Sequence, residues 1–156
     1  MKKSIFEPAG LAEIHSRLEK LTAETQSRWG LLKVNQMLRH LVEANKIPGG
    51  QLNIADRSTF VGRTMMRYFL LRTMVPSLKM IKRSPPQTFD EINILKAGIP
   101  AGDFETEKEN FKRSMAALQK QEKFPGRHPV IGKMNKKQWG WQTFSHYNYH
   151  FTQFGV

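Results

Sequence analysis

The sequence predicts an all-α protein, a bundle of four or five helices forming one domain over residues 1–156. Three observations lead there. Apolar residues recur at steps of three and four along several segments, the spacing that lines one face of a helix. Residues that start and stop helices bracket those segments: Pro8, Pro48-Gly49-Gly50, Pro125-Gly126 and Asn135. Strand signals are weak throughout, so amphipathic helices have only one another on which to bury their stripes.

The elements follow in order. Pro8 suits the first turn of a helix, and Leu11, Ile14, Leu18 and Leu21 follow at helical spacing, giving a first helix over about 8–22. His15 stands beside that stripe and reads as a surface histidine. A polar connection, Ala23 to Gly30, ends in Trp29-Gly30. The second helix runs from about Lys33 to Asn45, with Val34, Met37, Leu38, Leu41 and Val42 on its apolar side. His40 and Gln36 lie on the flank of that stripe, roughly 100° from its centre. A third helix is expected from Ser58 to Met74, with Arg63 and Arg67 one turn apart and Pro76 ending it. From Val75 to Gly102 the chain lacks strong periodicity, which is longer than a bundle connection needs. That crossover is long enough to cover one end of the bundle and help close a pocket. Asp103 to Glu122 forms the next helix, burying Phe104, Phe111, Met115 and Leu118 and placing acids in its first turns, where the helix dipole favours them. Lys123 to Met134 reads as a loop.

The last helix carries the chemistry. Asn135 is its N-cap and Gln138 completes a capping box, while Gly155 stands at the C-terminal glycine position. Trp139, Thr143, His146, His150 and Gln153 fall at steps of three or four and share one face. Two histidines four apart direct ring nitrogens at one point, a metal-ligand spacing that needs a third ligand. In a bundle this helix can face the second one, and His40 is the natural third donor. Three imidazoles leave coordination positions open to water or substrate. Gln36, Thr143 and Gln153 are candidates to fix the imidazole tautomers from behind. His128, in a loop before Pro129, shapes the approach to this helix. His146-Tyr147-Asn148-Tyr149-His150 has no glutamate after the first histidine, so it is not the HExxH protease motif.

Composition bounds the chemistry. The chain has no cysteine, so any metal is held by nitrogen and oxygen and no thiol nucleophile is its own. No apolar run approaches the roughly 18 residues of a membrane span, and the N-terminus lacks the apolar core of a signal peptide; the cytoplasm is the expected compartment. The formal net charge is +12, with seven basic residues and no acid from Arg57 to Phe89, and five and none from Lys123 onward. That surface suits solubility or an anionic partner. No helix-turn-helix, RNA-recognition signature or zinc finger accompanies it, which disfavours nucleic acid.

Two groups of residues resemble a known family. Arg28-Trp29-Gly30 followed by Asn35-Gln36-Met37-Leu38-Arg39-His40 is similar to the first motif of the DUF1569 proteins. The second motif is closer still: His128-Pro129, Gly132, Met134, Gln138-Trp139-Gly140, His146, His150 and Gln153-Phe154-Gly155. These segments cover about a third of the chain. DUF1569 belongs to the DinB/YfiT-like superfamily, which is grouped as metalloenzymes. The resemblance implies an up-down-down-up four-helix bundle holding a divalent metal, zinc or nickel, on His40, His146 and His150. It further implies a transferase or isomerase that uses a low-molecular-weight thiol as cosubstrate, and frequently a homodimer. Relatives often carry a histidine directly before the last ligand; here that residue is Tyr149.

The expected function is therefore a divalent-metal-dependent enzyme acting on a small-molecule substrate, a transferase that activates a small thiol at the three-histidine site. Two alternatives are a non-catalytic helical module that binds a small molecule, and a nucleic-acid or polyanion-binding protein working through the basic surface.

Overall fold

The computed structural model describes residues 3–55, 60, 64 and 89–156. Among them are four α-helices: α1 (Pro8–Leu18), α2 (Val34–Ala44), α3 (Phe104–Lys120) and α4 (Lys136–Gln153). A 3-10 turn spans Asp90–Ile92, and two short strands, β1 (Arg127–His128) and β2 (Gly132–Lys133), pair antiparallel. The fold is mostly helical, as the periodicity predicts. The helix expected from Ser58 to Met74, with Arg63, Arg67 and Tyr68, lies outside the described residues apart from Phe60 and Thr64. The 75–88 part of the crossover lies outside them too.

Each helix forms where its apolar stripe and its caps agree. α1 begins with Pro8 at its first position and buries Ile14 and Leu18. It ends four residues before the expected limit, because the chain tightens into short turns: Lys20 N–H donates to Arg17 O and Leu21 N–H to Leu18 O. Leu21 stays buried all the same. α2 buries Val34, Met37, Leu38 and Leu41. α3 is capped by Asp103, whose carboxylate accepts from Thr106 N–H at 2.8 Å, and buries Phe104, Phe111, Met115 and Leu118. α4 starts with the predicted reciprocal box: Gln138 N–H donates to Asn135 Oδ1 and Asn135 N–H to Gln138 Oε1. It ends in a Schellman motif, with Gly155 at φ +84° and Val156 N–H reaching back to Phe151 O at 3.0 Å. The 123–134 segment departs from the expected loop. Gly132, at φ +79°, turns the chain so that Arg127–His128 and Gly132–Lys133 pair.

Polar contacts fix which helices lie together. Arg17 on α1 donates to Asn148 Oδ1 at 2.6 Å and Thr152 Oγ1 at 3.1 Å on α4. Along α2 and α3, Asn35 donates to Gly102 O at one end, Arg39 sits between Glu43 and Glu107, and Asn45 donates to Ser114 Oγ at the other. Lys108 and Lys112 of α3 flank Glu19 just past α1, at 3.0 and 2.7 Å. Between these contacts the apolar faces merge into one cluster that includes Ile14, Leu18, Met37, Leu41, Phe111, Met115, Tyr147 and Phe151. A smaller cluster of Ile47, Ile54, Ile92, Ile131, Met134 and Trp139 joins the 3-10 turn and the β-hairpin to the foot of α4. No helix of the described residues is long and apolar enough to cross a membrane.

Candidate metal centre

His40 on α2 and His146 and His150 on α4 converge, their ligand atoms all within 4.8 Å of one another. His146 Nε2 lies 3.1 Å from His40 Nε2 and 3.2 Å from His150 Nε2. The three rings meet edge to face, with centroids 4.8–5.0 Å apart. His146 and His150 meet because four residues are about one helical turn. His40 joins them because α2 turns this flank of its stripe toward α4, leaving the residue only 3% exposed. His146 is half-buried, the least enclosed of the three.

The tautomers of two rings follow from obligate acceptors behind them. His40 Nδ1 lies 2.8 Å from the carbonyl oxygen of Ile92, which can only accept, so Nδ1 carries the proton and Nε2 keeps its lone pair. His150 Nδ1 lies 2.9 Å from Gln153 Oε1. Gln153 is oriented by its other end, where Nε2–H donates to Trp29 O at 2.7 Å. Its oxygen therefore faces His150, which must donate from Nδ1. Two imidazole lone pairs thus point at His146 Nε2, and a single proton there could serve only one of them well. A cation at the centre relieves all three.

The spacing fits a transition metal. Nitrogens bound at about 2.0–2.1 Å stand roughly 3.3–3.4 Å apart in a tetrahedron and about 3.0 Å apart in an octahedron. Two of the three edges, 3.1 and 3.2 Å, fall between these values. All three ligand atoms lie within 4.8 Å of one another, a span that a modest inward shift of the rings would bring to a zinc or nickel site. The donors are also in the right charge state. Burial pushes His146 well below the ordinary imidazole range, and the neighbouring His150, His40 and His128 push it further. Burial, with His40 adding to it and Gln153 opposing, takes His150 down to about 3. His40 is likewise lowered by burial, partly offset by the Ile92 carbonyl. Burial disfavours the charged form of each ring, so a metal would meet uncharged imidazoles and need only the N–H proton of His146 to sit away from Nε2.

The other predicted residues divide. Gln153 takes the supporting position expected of it. Thr143 is buried on the ligand face, one turn before His146. Gln36 does not support a ring: its side-chain oxygen accepts from Lys33 N–H at 3.0 Å, capping α2. His128 lies in the hairpin that replaces the expected loop before α4, its Nδ1 accepting from Val130 N–H and Ile131 N–H at 3.2 Å. Burial takes it down to about 4. Tyr149 packs its ring on His150, centroids 4.9 Å apart, and its hydroxyl oxygen accepts from Trp29 Nε1–H at 3.4 Å. Two supporting groups escaped the sequence reading, the carbonyls of Ile92 and Trp29. Both are backbone atoms, so no side-chain identity announces them.

No protein-family model matches this sequence, and no curated protein or solved structure matches it either.

Proposed function

We propose that this chain is a divalent-metal protein whose His40, His146 and His150 hold zinc or nickel as a catalytic centre. The observation that carries the reading is the convergence of three neutral Nε2 atoms, two of them held in the ligand tautomer by Ile92 O and Gln153. Among the described residues no acidic side chain belongs to the cluster, so a bound dication would keep its full charge and attract an anionic or anion-forming ligand to its open positions. Such an ion would supply Lewis acidity and favour the thiolate form of a thiol bound beside it. The nucleophile must be a cosubstrate because the chain has no thiol. A low-molecular-weight thiol, usually an anion in cells, suits a protein of net charge +12. We therefore read the activity as transfer of such a thiol to an electrophilic small molecule.

The helix contacts support the DinB-like arrangement that the motifs suggest. Matching ends of α1 and α4 adjoin, as do matching ends of α2 and α3, while Glu19 beyond the end of α1 meets the first half of α3. An up-down-down-up order of α1 to α4 satisfies all three.

Elemental mass spectrometry on untagged protein, beside His146→Ala, tests the reading. The expected result is near one zinc or nickel per chain, lost in the variant, with turnover when a thiol and a panel of electrophiles are added. A metal-free protein that also fails to take up added zinc or nickel would overturn it.

A further inference from the structure

The loop before α2 is fastened to the end of α4 by bonds that core packing does not require. Arg28 N–H donates to Gln153 O at 2.7 Å, and Arg28 Nη2–H donates to Gly155 O at 3.2 Å. Next to it, Trp29 O accepts from Gln153 Nε2–H, and the same amide accepts from His150 Nδ1–H. Gly30 follows at φ +86°, in the left-handed region. A Cβ at this position would stand 2.5 Å from Gln153 Nε2. The obstructed atom is the tip of a side chain, so the amide would swing aside sooner than the backbone of α4 would move.

We infer that Gly30 is a positioning residue for His150, acting through Gln153: its missing side chain lets the amide sit between the Trp29 carbonyl and the imidazole. The inference rests on the three-histidine reading for its consequence, though not for its geometry. When the amide leaves, His150 Nδ1 loses its acceptor. The ring is then free to carry its proton on Nε2, the atom that faces His40 and His146. A metal must displace that proton before it can bind, and the ring no longer has a fixed plane. The Trp29-Gly30 pair and the His150–Gln153 pair thus form one unit, about 120 residues apart in the chain.

A double-mutant cycle tests this. Zinc affinity is measured by competition with a chelating indicator for wild type, Gly30→Ala, Gln153→Leu and the double variant. In parallel, nitrogen-15 shifts of the metal-free proteins report which nitrogen of His150 bears the proton. Each single change is expected to weaken zinc binding about 10- to 100-fold and to move the His150 proton from Nδ1 toward Nε2. The double variant should bind no more weakly than Gln153→Leu, because Gly30 has no other route to the ring. Wild-type affinity and tautomer in Gly30→Ala would overturn the inference, as would losses that simply add in the double variant. Gln153→Leu leaves the glycine in place, and a wild-type tautomer there overturns it as well. Failure of wild type to bind zinc would sink the metal reading instead, while the tautomer readout still decides the role of Gly30.

Discussion

Tyr147 adjoins His146 in sequence but turns into the core, since consecutive residues on a helix diverge by about 100°. It is fully buried, its ring edge-on to Phe111 at 5.0 Å, and its hydroxyl donates to Asn45 Oδ1 at 2.6 Å. Asn45 in turn donates to Ser114 Oγ, which donates to Phe111 O. Tyr147→Phe keeps the ring and strands a buried amide oxygen, so it should cost about 1–3 kcal/mol in urea denaturation. A loss below roughly 0.5 kcal/mol would mean that water reaches Asn45. At this scale the sequence was legible where side chains carry the signal. The i, i+4 spacing exposed His146 and His150, and helix facing supplied His40. It was opaque where backbone atoms do the work, at Ile92 O and Trp29 O. Gln36 misled for a related reason: a glutamine three residues past a helix start serves the cap as readily as a neighbouring imidazole.

Among the elements, α4 gathers most of the constraints. Its interior glycine, Gly140, is tolerable on propensity alone, yet the packing demands it. Ile5 N–H donates to Gly140 O at 3.3 Å, and a Cβ there would stand 2.3 Å from Ser4 Oγ and 2.6 Å from the Phe6 ring. Helix propensity would favour Gly140→Ala by about 1 kcal/mol. Displacing the buried Ser4–Ile5 segment costs about 1–3 kcal/mol by the usual scale of overpacking, so the net effect is a loss. The expected outcome is a lower melting temperature with helical content retained; a rise would mean that the N-terminal segment moves away freely. The ends of α4 were readable because Asn135, Gln138 and Gly155 are chemically suited to them. The end of α1 was not, because Leu21 continues the apolar stripe after the helix has become a series of turns. The two-residue strands escaped because pairing that short leaves no alternation to read.

For the whole molecule, the buried histidines and the excess of positive charge act in the same direction as pH falls. His128 is lowered to about 4 and His150 to about 3, and His40 and His146 are lowered with them, in each case first by burial. In the unfolded chain each titrates near 6.5. Below that pH the unfolded state takes up protons that the folded state refuses, so stability decreases as pH decreases. The contribution is complete above about 6.5 and is lost progressively as the pH approaches about 4. Every proton added also raises a net charge that begins at +12. The metal-free protein should therefore melt at steadily lower temperature from pH 7 to pH 4.5, and zinc should raise the melting temperature most at neutral pH. Zinc bound as proposed, by the folded state only, would stabilise it by an amount that grows with the ratio of free zinc to the dissociation constant. That constant weakens once protons compete for the same nitrogens. The zinc-loaded and metal-free melting curves should thus converge toward pH 4.5. Flat melting temperatures across this range in the metal-free protein would show that the histidines already accept protons in the fold, and a neutral, ready-made ligand set would have to be abandoned.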